Sequence, residues 1–161
     1  MKNLLESLCG QLIKDIVLRG VVDTDDEPVV FLPKYDRVYL VLENFTIEMA
    51  DDDSEGKVRI RASIVNEVCA VVNLDEGQLP CQCSIGSIAF ANPLAENRIK
   101  RVVAYNPDGN AYRAIEIVLT SDQILFFDPM FFNGINLGGV EQKAVWLANE
   151  EQHVAVIFGD A

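Results

Sequence analysis

The amino-acid sequence predicts an all-β protein with one or two short helices, built from two pseudo-repeated antiparallel meanders that pack as a β-sandwich. The stretch from Arg113 to Asp128 alternates apolar and polar residues on both sides of a polar turn, which is typical of a β-hairpin. The stretch from Arg37 to Asp51 repeats this pattern at an offset of about 77, which matches Val38 with Ile115 and Asp51 with Asp128. A chain of 161 residues that is 50% hydrophobic is also long enough to bury a core without disulfides or metal.

The other elements follow from local signals. A short helix is predicted over residues 2–9, because leucines share one side and Gly10 can end the turn. A strand is predicted from Gln11 to Leu18, followed by an exposed acidic loop from Asp23 to Pro28, since Asp and Pro are unfavourable in strands. Three further strands complete the first half: Lys57–Ser63, Glu67–Leu74 and Cys81–Ala91.

The duplication extends beyond the hairpin. Residues Leu8, Leu12 and Ile13 match Leu94, Arg98 and Ile99 at an offset of 86, Val58 and Ile60 match Ile135 and Leu137, and VCAVVN matches VWLAN around Trp146. We therefore expect residues 1–161 to form a single compact domain of two pseudo-repeats, 1–91 and 92–161, that bury their apolar faces against each other. The alternative is that two antiparallel meanders resemble each other by chance.

The charge balance indicates the class of partner. A formal net charge of −12 and a pI near 4.4 argue against direct binding of nucleic acid or an anionic membrane and favour a basic protein. Four cysteines are too few for a secreted disulfide scaffold, and no signal-peptide or membrane-spanning run is present. We expect a cytoplasmic protein.

The sequence offers no strong metal or catalytic motif. The segment from Asp51 to Gly56 resembles the start of a calcium loop, but Ala62 stands where a bidentate Glu is required. A zinc site from Cys69, Cys81, Cys83 and His153 is disfavoured, because a C-x-C pair does not match the usual ligand spacing; buried inert thiols are preferred. No nucleotide-binding loop or hydrolase motif occurs. We predict no catalytic residue, metal or cofactor, and thus no enzyme.

Two aromatic features are predicted to contribute to packing. Trp146 is expected in the core, because its neighbours Val145 and Leu147 are apolar. The run FFDPMFFNG is expected to pack partly between the two halves, and any part left exposed would be a binding surface.

A family resemblance adds a functional expectation. The pattern of a short helix, a strand, an acidic loop and V-x-L-x-L-E-N-x-x-I resembles small bacterial immunity proteins that neutralise polymorphic toxins, including those of contact-dependent growth inhibition. The segment from Val145 to Phe158 is similar to the closing W-x-x-x-N hairpin of some such domains. The residues that carry the first pattern are Leu8, Gly10, Ile13, Ile16, Val38, Leu40, Leu42, Glu43, Asn44 and Ile47.

The resemblance implies a protein without catalytic activity that binds a basic toxin domain, often a nuclease, and blocks its active site. The acidic loops would then occupy the phosphate-binding cleft of the toxin. One alternative is a β-rich adaptor or chaperone that docks a partner through the Phe-rich surface. A second is a small hydrolase or metal-dependent enzyme. The predicted partner-binding residues are Asp23, Asp25, Asp26, Glu27, Asp51, Asp52, Asp53, Glu55, Glu150 and Glu151.

Overall fold

A computed structural model describes residues 4–25, 28–52, 56–63, 74–129, 134–150 and 152–160. Strands account for 55% of the described residues and helices for 14%, and the strands form two antiparallel sheets. The prediction of an all-β, sandwich-like fold is confirmed, and the described ranges contain three short helices rather than one or two. None of the helices in the described ranges has the length and apolar content needed to traverse a bilayer.

The elements fall into two successive sets. The first comprises α1 (Leu4–Leu8), β1 (Ile13–Asp23), β2 (Val30–Leu42), β3 (Thr46–Asp52), β4 (Lys57–Ser63) and β5 (Gln78–Ser84). The second comprises α2 (Gly86–Ala89), β6 (Ile99–Tyr105), β7 (Ala111–Tyr112), β8 (Ala114–Leu119), β9 (Ile124–Asp128), β10 (Asn136–Gly138), α3 (Val140–Asn149) and β11 (Ala155–Gly159).

The two sheets share one topology. The first sheet has the order β5-β1-β2-β3-β4-β7, and the second has the order β10-β9-β8-β6-β11. We match β1 to β5 in turn with β6, β8, β9, β10 and β11. Read from its other edge, the second sheet is β11-β6-β8-β9-β10, which is the same order as β5-β1-β2-β3-β4 in the first sheet. Among the described strands, only β7, which adds a short edge to the first sheet, lies outside this match. The predicted repetition of the meander is therefore present in the pairing of the strands.

A shared irregularity supports the match. The pairing of β1 with β2 shifts between Ile13 and Asp15, and the pairing of β6 with β8 shifts between Ile99 and Arg101. These positions are related by the offset of 86 that the sequence predicted. A β-bulge at the same position of both copies is difficult to explain by chance similarity of meanders.

Equivalent residues also meet each other across the junction of the two halves. The Ile13 amide donates a hydrogen bond of 2.9 Å to the Asn97 carbonyl, and the Ile99 amide donates one of 2.8 Å to the Gln11 carbonyl. The offset of 86 relates Ile13 to Ile99 and Gln11 to Asn97, so each bond is the counterpart of the other. The halves are thus related as the subunits of a twofold dimer are, with the pseudo-axis between these reciprocal bonds.

A second reciprocal contact lies at the far edges of the sheets. Val58 of β4 pairs with Tyr112, and the Ile135 amide donates a hydrogen bond of 2.7 Å to the Tyr35 carbonyl. An offset of 77 relates Tyr35 to Tyr112 and Val58 to Ile135. Each half therefore places a segment beside the fourth strand of the other half.

The main core lies between the sheets and takes side chains from both. Helix α1 contributes Leu5 and Leu8, which are fully buried, and it packs against β6 and β11. The inward-facing residues of the two central hairpins are equivalent in position: Val38, Leu40, Leu42, Ile47 and Met49 in the first half, and Ile115, Ile117, Leu119, Leu125 and Phe127 in the second.

Several predicted elements differ from the structure. The VWLAN run around Trp146 is not a strand but the end of helix α3, which places Gln142, Lys143 and Trp146 on the side facing the sheet. The C-terminal segment is accordingly a helix followed by a strand rather than a hairpin. The predicted strand from Cys81 to Ala91 ends at Ser84, where α2 begins two residues later. The strand predicted for Glu67–Leu74 falls on residues 67–73, which lie outside the described residues.

One predicted equivalence is wrong by a single position. The sequence match placed Asp128 on Asp51, whereas Met49 pairs with Val38 and Phe127 pairs with Ile115. The turn between β8 and β9 is one residue longer than the turn between β2 and β3. The offset therefore becomes 78 along β9, so that Asp128 corresponds to Ala50.

The close approach at Tyr35 gives a testable prediction. Gly134 has φ +89°, and a Cβ there would lie 2.2 Å from the Tyr35 carbonyl oxygen. We expect Gly134→Ala to lower the free energy of unfolding by about 2 to 3 kcal/mol, because the left-handed backbone and the backbone clash both oppose a side chain. Gly109→Ala is the matched control, since Gly109 has φ +61° with no atom within 4 Å of the added Cβ. It should cost about 1 kcal/mol in a denaturant titration; equal losses would show that the contact with Tyr35 is not tight.

Candidate functional site

An acidic surface lies where β1 ends and β5 begins. The Thr24 amide and hydroxyl both donate hydrogen bonds to the Gly77 carbonyl, at 3.0 and 2.7 Å. The Asp25 amide donates a bond of 3.0 Å to the Asp23 carboxylate, which fixes the turn that leaves β1. These contacts join two acidic turns that are about 50 positions apart in the sequence.

We call the four carboxylates at this junction, Asp23, Asp25, Asp75 and Glu76, the acidic cap. Asp25, Asp75 and Glu76 are exposed, and Asp23 is partly exposed. Gly77 has φ +82°, and the Asp25 carboxylate occupies the space where a Cβ would be, at 2.5 Å. The close packing of this turn therefore holds the Asp25 side chain next to the second acidic turn.

Within the described ranges, no ion pair involves a carboxylate of the acidic cap, whereas most lysine and arginine side chains there are paired. Those in ion pairs are Arg19, Arg37, Lys57, Arg61, Arg98, Lys100, Arg113 and Lys143. Because these internal pairs use so many cations, the unpaired carboxylates dominate the charge that an approaching molecule meets.

The second predicted acidic segment has a different environment. Arg113 donates to the Glu150 carboxylate at 2.9 Å and to the Gly56 carbonyl at 3.4 Å, so Glu150 lies beside the turn that follows β3. Lys57 forms a 2.8 Å ion pair with Asp108, and this pair lowers the pKa of the Asp108 carboxyl. Asp51 is half-buried and has an interaction partner of its own. The charges here are mixed rather than uniformly acidic.

The predicted partner-binding residues are therefore divided between two places. Asp23 and Asp25 belong to the acidic cap, and Asp51 and Glu150 lie near the turn after β3. The predicted residues Asp26, Glu27, Asp53, Glu55 and Glu151, and the side chain of Asp52, lie outside the described residues.

Sequence reasoning missed Asp75 and Glu76. The signal was the LDEG turn that follows the apolar run VCAVVN, which is acidic in the same way as DTDDE. Its position relative to Asp23 depends on the pairing of β5 with β1, in which Asp23 lies opposite Gln78. That long-range pairing is not visible in a local pattern.

A buried polar cluster lies under α3, on the outer face of the second sheet. Glu116 is fully buried, and one of its oxygens accepts a hydrogen bond from Tyr105 at 2.8 Å and forms an ion pair with Lys143 at 2.7 Å. The pKa of the Tyr105 phenol lies well above its usual value, mainly because the group is buried and secondly because it donates a hydrogen bond to Glu116. Tyr105 therefore remains a neutral donor to this carboxylate at physiological pH.

Helix α3 is fixed above this cluster by contacts from three of its residues. Gln142 donates a 2.9 Å hydrogen bond to the buried Asp128 carboxylate. Trp146 is 1% exposed, and its ring lies 5.0 Å from that of Tyr105 and 5.7 Å from that of Phe126, which confirms the prediction of a core tryptophan. The arrangement anchors the helix rather than forming an open reaction site.

The Phe-rich run is buried as far as it is described. Phe126 packs under α3, and Phe127 packs between the sheets, both with no exposed surface. The second half of the run, residues 130–133, lies outside the described residues. The expectation that part of this run packs between the halves is confirmed for Phe127.

The candidate metal ligands do not form a cluster in the described part of the chain, where no group of three or more His, Cys, Asp or Glu side chains is placed to hold an ion. Cys81 and Cys83 lie on β5, and His153 packs against the rings of Trp146 and Tyr105 at 6.2 and 6.0 Å. Burial raises the pKa of the Cys9 thiol, so this cysteine is a poor nucleophile.

Comparison with known proteins gives no further assignment. No family model, no curated protein and no solved structure matches this chain.

Proposed function

We propose that this protein is a non-catalytic immunity or inhibitor protein that neutralises a basic toxin domain, such as a nuclease, through an acidic surface. The observation that carries the proposal is the acidic cap, four carboxylates without an internal cation in the described part of a chain of net charge −12. Support also comes from the sequence resemblance to bacterial immunity proteins. The cytoplasm, where such antidotes act, is the proposed location.

Electrostatics explains how such a surface would act. A toxin that cleaves nucleic acid needs a basic cleft for phosphates, and unpaired carboxylates are complementary to it. The field of the acidic cap would speed association, and this effect would weaken as salt screens the exposed charges. Because the Thr24 to Gly77 contacts fix the turn, little ordering would be needed on binding.

The test uses the protein encoded by the reading frame adjacent to this gene. We expect a one-to-one complex that blocks its toxicity in cells. Replacing Asp23 and Asp25 with Asn, Asp75 with Asn and Glu76 with Gln should slow association at low salt by about tenfold or more, with a smaller change in the dissociation rate.

A dispersed variant provides the matched control. Neutralising Glu6, Glu43, Glu141 and Asp160 removes the same charge from three places outside the acidic cap, since Glu6 and Asp160 both lie near Cys9, and no described ion pair involves these residues. Its association should slow by no more than about threefold, because the local field of the acidic cap is retained. If association slowed equally in both variants, the net charge of the chain, and not the acidic cap, would account for the association rate. No binding at all by the adjacent gene product would contradict the immunity function.

A further inference from the structure

A groove opens between the sheets beside α2. Its volume is about 580 Å³. Val38, Leu125 and Ile135 form its floor and are no more than 2% exposed, whereas Tyr35 and Ile88 at its mouth are 45% and 81% exposed. The groove therefore continues the apolar interface between the two halves outward to the surface.

Among the described residues, no charged side chain lines the groove, although the chain carries a net charge of −12. The described polar side chains that line it are Tyr35, Gln123 and Asn136. Gln123 is already engaged, since its side-chain amide donates to the Ala89 carbonyl and accepts from the Ala91 amide, both at 2.8 Å. These bonds attach the end of α2 to the turn before β9. One wall of the groove is therefore held in place without any occupant.

The pseudo-symmetry of the molecule is broken at this groove. Tyr35 is 45% exposed, whereas its counterpart Tyr112 is 2% exposed. Leu137 is likewise half-buried, whereas its counterpart Ile60 is 3% exposed. Tyr112 and Ile60 are therefore buried, whereas their counterparts at the groove are partly accessible. The two sides also differ in their strands, because Tyr112 lies on β7, which has no counterpart in the repeat, whereas Tyr35 lies on β2.

We propose that this groove binds a neutral, mainly aliphatic or aromatic small molecule. The volume lies within the range of roughly 300 to 1,000 Å³ that is typical of small-molecule sites. A charged head group would lose its hydration among uncharged side chains without gaining a partner, so a neutral ligand is preferred. This inference is independent of the proposed binding of a toxin.

The test is calorimetric titration of the full chain with 1-decanol, decanoate and decylamine. We expect saturable binding of decanol, with affinities at least tenfold weaker for the two charged analogues. Ala89→Phe, which fills the groove from α2, and Ile88→Glu, which places a charge at its mouth, should each weaken decanol binding at least tenfold. Since Ile88 is mostly exposed, Ile88→Glu tests the site without disturbing the core.

Val145→Glu is the matched control, because Val145 is an apolar residue on α3 that is 54% exposed and does not line the groove. It should bind decanol like the parent chain, and the thermal midpoint of each variant should show that it is folded. The proposal would be overturned if the parent chain did not bind decanol, or if it preferred a charged analogue. It would also be overturned if Ala89→Phe and Ile88→Glu both bound decanol as tightly as the parent chain does. A parent chain that dimerises but does not bind decanol, and whose dimer is lost in Ile88→Glu, would also overturn the proposal. The groove would then be the contact surface for a second copy of the chain.

Discussion

Replacing Lys143 with Met is expected to lower the free energy of unfolding by about 3 to 5 kcal/mol, because it removes the cation from a buried ion pair. The Glu116 carboxylate has no exposed surface and would retain only the neutral hydroxyl of Tyr105 as a donor. Its second oxygen already has no hydrogen-bond partner. Met keeps most of the length of the side chain, so the change reports mainly on the charge. Denaturant titration at neutral pH measures the loss.

The double variant Lys143→Met with Glu116→Gln provides the control. Removing both charges leaves no buried ion, so at least half of the lost stability should return. A double variant no more stable than the single one would show that Lys143 acts through packing rather than through its charge.

Trp146→Ala is expected to lower the free energy of unfolding by about 3 to 5 kcal/mol, because it deletes the side chain that joins α3 to the second sheet. The indole packs against Tyr105 and Phe126, and the polar contacts from Gln142 and Lys143 depend on the helix remaining in this position. Circular dichroism during denaturation is the suitable measurement, since the chain has only one tryptophan.

Leu147→Ala is the control for this prediction. Leu147 is half-buried against the same cluster, so its truncation should cost only about 1 to 2 kcal/mol. If Trp146→Ala cost no more than Leu147→Ala, the anchoring of α3 would depend on its polar contacts instead.

The alternation of apolar residues was enough to predict the fold class. Val38, Leu40 and Ile117 face the core as the period of two requires. The match of Leu12 with Arg98 was also informative, because the structure pairs these two residues across the junction of the halves. Patterns of this kind are either local or found by comparing the two copies, so they can be recognised in the sequence without knowledge of the tertiary structure.

Helix α3 could not be predicted in the same way. VWLAN is a short apolar run that suits a buried strand or a helix equally well, and the period alone does not separate the two. Leu94 shows a related limit. It matches Leu8 in sequence, yet Leu8 is buried in α1 and Leu94 is 96% exposed. The two copies have diverged where chain connections differ.

The acidic cap was predicted only in part. Asp23 and Asp25 were selected from an acidic loop, whereas Asp75 and Glu76 join them through the contact between Thr24 and Gly77. Likewise, the pairing of Glu150 with Arg113 depends on where α3 ends relative to the turn at Gly56. Such contacts join distant segments, and the sequence does not reveal which carboxylates acquire a cation.

Hydrogen exchange of the complex with the adjacent gene product tests the central claim most directly. If the acidic cap is the contact surface, binding should slow exchange in the peptides that contain Asp23 to Asp25 and Leu74 to Gly77. Exchange in β11 and in α3 should not change. Protection confined to the groove beside α2 or to the turn at Gly56, with exchange in the acidic cap unaltered, would contradict the account.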